Sequence, residues 1–222
     1  MIALALDTAT TDLVAGVVDV GEEGAVTLAE SVTPTRSHNE LLVPAVSRIL
    51  GEANVAFPDL DAIVVGCGPG PFTGLRVGMA TASAFGQALG LPVHGVATHD
   101  AVASLVDARR TLVITDARRR EVYWARYESG RRVAGPDVCA PALLAAQGPV
   151  DLVSVPEHLV DDVPAEAQRI TYVAPRAAGL VAVADFSSEP GPLVPLYLRR
   201  PDAVEPKLGP PSPALPVQRA EQ

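Results

Sequence analysis

Residues 62–78 read Ala62-Ile63-Val64-Val65-Gly66-Cys67-Gly68-Pro69-Gly70-Pro71-Phe72-Thr73-Gly74-Leu75-Arg76-Val77-Gly78. Ala62 to Gly66 is a short, uncharged, β-branched run, the composition of a buried strand. Cys67 to Gly74 is so dense in Gly and Pro that it must turn. Leu75 to Leu89 then reads as a helix and Val93 to Val96 as the next strand. A strand, a tight loop, a helix and a further strand form an α/β unit, so the chain is assigned to the α/β class.

Upstream, Ile2 to Leu6 is an apolar strand, Asp7-Thr8-Ala9-Thr10-Thr11-Asp12 a polar turn, and Leu13 to Val20 and Val26 to Val32 two further strands. The opening is a β-meander whose first turn is lined with hydroxyls and carboxylates. Ser37 with Glu40 has capping-box spacing for a helix start. Leu41, Leu42, Ala45, Val46, Ile49 and Leu50 then form one wide apolar face, with Pro44 inside it as a bend or a first-turn residue. This half extends to about residue 98. Downstream, Thr98 to Ala108 reads as a helix. Thr111 to Thr115 and Glu121 to Tyr127 are strands around an Asp116 to Arg120 turn. A short helix near 140–146, a strand over 151–155 and a helix over 174–184 follow. The expected organisation is a lobe over 1–98, a smaller α/β lobe over 99–200, and a Pro-rich extension over 201–222, disordered from about 208.

The chain has 222 residues, 48% of them hydrophobic and 19% charged, so disorder throughout is excluded. Its net charge of −9 argues against a whole-surface clamp on nucleic acid. Two cysteines, Cys67 and Cys139, supply neither a disulfide framework nor a four-thiolate zinc site. The uncharged stretch from Val77 to His99 is long enough to span a bilayer but is Gly-, Ala- and Ser-rich with a proline. It reads as a buried helix and strand of a soluble, cytoplasmic protein.

The Gly/Pro loop precedes a helix N-terminus, the place for a phosphate cradle. It fits neither standard pattern: Gly74 is followed by Leu75-Arg76 rather than Lys-Ser/Thr, and the third glycine of a dinucleotide fingerprint is Thr73. Gly74, Gly78, Ala82, Gly86 and Gly90 recur every four residues and share one stripe. A mid-helix glycine costs roughly 1 kcal/mol relative to alanine, so the stripe implies close backbone approach. Two readings stand, packing inside this chain or docking of a partner helix. His94 and His99 lack the helical spacing of a metal pair, and no serine or cysteine has a nucleophile frame, so no catalytic or metal-binding residue is assigned. Asp7, Thr8, Thr10 and Thr11 carry the residue types that hold ATP phosphates in kinase-like hairpin turns, and equally those of an Asx turn. Four arginine clusters, 109–110, 118–120, 131–132 and 199–200, form local basic patches on an acidic chain.

Segments in this order resemble the bacterial TsaB (YeaZ) family: Ala3 to Thr10, Ser37 to Pro44, Gly66 to Gly78, Asp116-Ala117-Arg118 with Glu121 to Ala125, and Pro195 to Arg199. The resemblance implies a two-lobed actin/Hsp70/sugar-kinase-like (ASKHA) fold. It also implies a part in making N6-threonylcarbamoyladenosine at position 37 of tRNAs reading codons that begin with A. In that family a catalytic paralogue, TsaD, carries the paired-histidine metal motif. The TsaB member dimerises with it as a non-catalytic subunit, and the pair recruits a small ATPase, TsaE. Metal and ATP would then belong to the partner subunits, with at most weak ATP or ADP binding here, and tRNA would be met through the complex, with no membrane. The family dimer packs the two helices flanking the Gly/Pro loop against those of TsaD. That would place Leu42, Val46, Ile49, Phe72, Gly74, Arg76, Gly78, Ala82 and Gly86 at the seam, and it allows a homodimer when the chain is alone. Asn39 and Pro71 stand where serine is commoner in the family. The proline stiffens the loop and removes a donor. The alternative is an autonomous ATP-dependent kinase or ATPase of the same fold, which the Asp7 turn favours. A peptidase would need metal ligands or a nucleophile frame that the sequence lacks.

Overall fold

A computed structural model describes residues 1–22, 24–163 and 166–199. The first sheet is built from β1 (Ile2–Asp7), β2 (Asp12–Gly21), β3 (Gly24–Pro34), β4 (Ala62–Gly66) and β5 (Val93–Val96) in the order β3-β2-β1-β4-β5. β1 pairs antiparallel with β2 and parallel with β4, and β4 pairs parallel with β5. The second sheet comprises β6 (Arg110–Arg118), β7 (Glu121–Glu128), β8 (Arg131–Cys139), β9 (Val150–Ser154) and β10 (Ala167–Thr171) in the order β10-β9-β6-β7-β8. Here too a meander of three antiparallel strands is extended by two parallel ones. The two sheets therefore repeat one topology, with β6 standing where β1 stands. No short sequence period betrays this, because the repeating unit is a whole sheet.

Strand alternation sorts the first sheet's two faces. Leu4, Leu6, Leu13, Ala15, Val17, Ile63 and Val65 pack against α1 (His38–Ala53) and α2 (Phe72–Leu89). Ala3, Ala5, Val14, Val18 and Val64 face α3 (Thr98–Ser104) and α4 (Ala177–Ala182). α4 thus follows the second sheet in sequence yet lies on the first, held there by Leu180 and Val181. Glu30 fixes its start, accepting the Ala177 N–H at 2.6 Å and pairing with Arg176 at 2.6 Å. Leu112, Ile114, Val122, Trp124, Val150 and Val153 make the second core with Leu144.

Several local expectations change. The Ser37 side chain makes no cap hydrogen bond; its N–H donates to the Thr35 hydroxyl at 2.9 Å instead. α1 runs through Pro44, so that residue is not its first turn. α2 begins at Phe72, three residues before Leu75. Residues Pro141–Gln147 form a 3₁₀ helix. β8 and β10 are edge strands that hydropathy alternation misses, because few of their side chains are buried and β8 holds Gly135-Pro136. The Pro-rich extension and the disorder expected from about residue 208 lie outside the described residues.

The largest correction concerns the glycine stripe. Added Cβ atoms would stand 2.5 Å from the Thr8 carbonyl oxygen at Gly74, 2.4 Å from Thr8 Oγ1 at Gly78, and 2.3 Å from Val93 Cγ2 at Gly86. Ala82 is fully buried in the same core as Leu42, Val46 and Ile49. Those seven residues therefore face the chain's own turn and sheet rather than a neighbouring molecule. The close approach is real, but the approaching groups, the Thr8 carbonyl and hydroxyl and the Val93 side chain, belong to this chain.

Candidate functional site

Two surfaces concentrate the chemistry. The first is a cleft of about 220 Å³ at the carboxyl ends of β1 and β6, between the two sheets. It is lined by Thr8, Thr10, Thr11, Thr35, Arg36 and His38 from the first sheet's side. Thr73 and Gly74 of α2 and Thr115, Asp116, Arg118, His158 and Tyr172 complete it.

Asp7, the expected phosphate-turn carboxylate, is fully buried behind this cleft. Its carboxylate accepts the Ala9 N–H at 2.7 Å and the Thr98 hydroxyl at 2.7 Å. A side chain on Gly66 would occupy its place, since an added Cβ would fall 1.9 Å from Asp7 Oδ2. Burial pushes the Asp7 carboxyl up to about 6, against the lowering effect of these two bonds. Thr8 is equally engaged: its hydroxyl donates to the Gly74 carbonyl at 2.7 Å and accepts the Gly78 N–H at 3.0 Å. Of the four turn residues singled out, then, Asp7 and Thr8 hold the turn against α2 and α3, while Thr10 and Thr11 line the cleft.

The counterpart of Asp7 on the second sheet is Asp116, near the end of β6. It accepts the Arg118 N–H at 2.6 Å and lies 3.5 Å from the Arg118 guanidinium and 3.6 Å from His158. Tyr172 reaches across from the second sheet and donates to the Asp12 carboxylate. Burial, reinforced by that carboxylate, pushes its phenol up. His38 Nε2 lies 2.9 Å from the Thr10 carbonyl oxygen, and burial lowers the imidazole below its usual range. Arg36, His38, His158 and Tyr172 escape sequence reasoning because no spacing links them; only the closure of two sheets brings them together.

The second surface is the outer face of α2 and its neighbour segment. Phe72 is 52% exposed, with the Arg76 guanidinium 3.8 Å above its ring and the Tyr197 ring 5.0 Å away. Arg76 Nε donates to the Tyr197 hydroxyl at 3.3 Å. Ala80, Ser83, Ala84, Gln87 and Ala88 continue this exposed face along α2, and Leu41 and Val43 are exposed on α1. Phe72 and Arg76 are thus placed outward, unlike the buried stripe beside them.

Among the described residues no group of three or more His, Cys, Asp or Glu side chains is arranged to hold a metal ion. No described helix is long and apolar enough to cross a membrane. The buried His99 Nε2 meets the Thr115 hydroxyl at 2.9 Å, and burial with the Arg132 charge depresses its imidazole to about 3. It is a neutral core residue.

Comparison with known proteins places this geometry. The family model of TsaD, tRNA N6-adenosine threonylcarbamoyltransferase, matches residues 28–187. An uncharacterised protein of Mycobacterium leprae is 51% identical over 205 residues, 91% of this chain and 56% of that protein. The tRNA threonylcarbamoyladenosine biosynthesis protein TsaB of Escherichia coli is 36% identical over 129 residues, 56% of this chain and 54% of that one. The chain thus spans little more than half the length of either relative. The structure of YeaZ from Pseudomonas aeruginosa superposes with a TM-score of 0.69 at 28% identity, covering 82% of this chain and 90% of that one. With a family model over most of its described length and the two-sheet fold of YeaZ, the chain belongs to the TsaD family, as a homologue of its TsaB (YeaZ) members.

Proposed function

We propose that the chain acts in forming N6-threonylcarbamoyladenosine on tRNA, as a non-catalytic subunit that scaffolds a TsaD-type catalytic paralogue and helps to recruit a TsaE-type ATPase. The observation that carries the non-catalytic reading is the internal engagement of Asp7 and Thr8. The carboxylate and hydroxyl that a phosphate-handling turn would offer to a nucleotide are tied to Thr98, Gly74 and Gly78. Metal and ATP chemistry then fall to the partner subunits. With tRNA as the object of the reaction, the expected compartment is the cytoplasm.

The docking face belongs on the outer side of α1 and α2. Phe72, Arg76 and the exposed Ala80, Ala84 and Ala88 form a ridge of one aromatic, one cation and small side chains. Aromatic residues and arginine supply the anchors of many interfaces, and small residues let a second helix approach. The same face would serve a homodimer of the isolated chain.

The test is transfer of the threonylcarbamoyl group from threonylcarbamoyl-AMP to tRNA, with this chain alone, with the TsaD-type paralogue alone, and with both. The chain alone is expected to be inactive and the pair active. Transfer by the chain alone, or no dependence of the paralogue on it, would overturn the reading.

A further inference from the structure

A second recess lies apart from the interlobe cleft and shares no lining residue with it. It is a trough of about 550 Å³ between β5, an edge strand of the first sheet, and the segment 183–196 that follows α4. Sites for small molecules span roughly 300–1,000 Å³, so the trough has room for one. Pro190, Pro192 and Leu193 give it an apolar wall, and Leu193 also packs on the first sheet's core.

The charges around it are unbalanced. Asp100 is engaged: it accepts the Tyr127 hydroxyl at 2.7 Å and pairs with Arg132 at 3.1 Å. Asp185 accepts the Ser187 hydroxyl at 2.6 Å, the Ser187 N–H at 2.9 Å and the Ser188 hydroxyl at 2.8 Å, and these bonds hold its carboxyl below the usual carboxylate range. It is therefore ionised at neutral pH. Among the described residues neither Asp185 nor Glu189 is ion-paired. With the guanidinium of Arg132 held by Asp100, two negative charges at the trough stand without a counter-charge.

His94 is a separate sign. It is 7% exposed, its ring lies edge-on to Phe186 with centroids 5.0 Å apart, and it lines the trough. Buried polar side chains normally hold a hydrogen-bond partner. His94 has none among the described residues. Its nitrogens are not sealed in the core, as His99 Nδ1 is; they open on the trough. A neutral imidazole offers a lone pair to a donor. One imidazole acceptor and two free carboxylates beside aliphatic surface suit a ligand with N–H donors, positive charge and methylene groups. The carboxylates are not grouped as a metal site would need. We propose that the trough binds a small aliphatic amine of the diamine or polyamine class. Asp185 and Glu189 take its ammonium groups, His94 accepts an N–H, and Pro190, Pro192 and Leu193 cover its methylenes. The site is independent of the function proposed above.

The experiment titrates putrescine and spermidine calorimetrically into the full chain at fixed ionic strength, with butylamine as the singly charged comparison. One amine per chain is expected, putrescine binding about 10-fold tighter than butylamine because it engages two carboxylates. Glu189→Gln is expected to weaken putrescine about 10-fold. It should leave the melting temperature unchanged, because Glu189 makes no hydrogen bond or ion pair among the described residues. His94→Phe should weaken binding by a similar factor; if that variant does not fold, Glu189→Gln carries the test. Glu40→Gln, exposed on the first turn of α1, should bind like the parent. In NMR spectra the His94 ring signals should shift on adding putrescine, while those of His38, His99 and His158 stay. Binding that Glu40→Gln weakens as much as Glu189→Gln would mean general attraction to a chain of charge −9 and overturn the proposal. So would an unmoved His94 signal, absence of saturable binding, or equal binding of butylamine. Binding of oligolysine but of neither free amine would assign the trough to a protein partner and overturn it as well.

Discussion

The Thr8 hydroxyl lies 3.0 Å from the backbone nitrogen of Gly78 while donating to the Gly74 carbonyl at 2.7 Å. One side chain of the first turn is therefore inserted at the Gly74–Gly78 rung of α2's hydrogen-bond ladder, and Gly78 has no Cβ because that hydroxyl occupies its place.

Gly78→Ala is expected to lower the stability of the isolated chain by about 1–3 kcal/mol through overpacking. Thr8→Ala removes the obstructing oxygen, so the double variant Thr8→Ala/Gly78→Ala should be more stable than the sum of the single losses. Urea denaturation of all four proteins measures this coupling. Additive losses would mean that the two residues do not meet.

Substitutions on opposite faces of α2 should separate two roles. Ala84→Leu, on the exposed face, is expected to leave the melting temperature within a degree or two. It should weaken binding to the TsaD-type paralogue about 10–100-fold, if a helix packs there. Gly78→Ala should show the reverse emphasis, losing stability first. Calorimetric melting beside a partner-binding titration checks both.

Two buried groups set opposing pH responses. The Asp7 carboxyl is raised from 3.8 to about 6, so it favours the folded state below about 3.8, and that contribution is lost as pH rises through 6. His99 is depressed from 6.5 to about 3, so its contribution is present above 6.5 and lost as pH falls. Between pH 4 and 6 the two slopes nearly cancel. Asp7→Asn removes one of them. The variant should be more stable than the parent near pH 7, by on the order of 2–3 kcal/mol. Its stability should also fall more steeply than the parent's from pH 6.5 towards 4. Parallel pH curves for the two proteins would contradict this assignment.

Nucleotide affinity should be low. With Asp7 and Thr8 engaged and a cleft of about 220 Å³, ATP is expected to bind the isolated chain no better than roughly 0.1–1 mM, about 4–5.5 kcal/mol. Calorimetric titration showing micromolar binding that Asp7→Ala abolishes would refute this.

The first sheet's strands, both long helices and the Gly/Pro loop between them are legible in the sequence. Their signals are local: β-branched runs, a wide apolar helical face, and glycines with prolines where the chain turns. The motif around Gly74 also carried the family resemblance. The edge strands β8 and β10 left no such trace, since a strand that buries few side chains has no alternation to read.

The site was less legible than the fold. Fourfold spacing of Gly74, Gly78, Ala82 and Gly86 shows that something comes close to α2, because only small residues tolerate close backbone approach. It does not say what: at Gly74 and Gly78 the approaching group is Thr8, about 70 residues away, and at Gly86 it is Val93. Likewise Asp7 has the chemistry of a phosphate-turn residue, but whether its carboxylate faces a ligand or Thr98 depends on where α3 packs. The sequence alone determined the first sheet's strands and its two long helices, the α/β class and the family resemblance, since these follow from local propensity and pattern. Tertiary structure alone decided which side of α2 is inside, which carboxylate is buried, and which residues of the two sheets line one cleft, because those depend on contacts between residues that no sequence spacing connects.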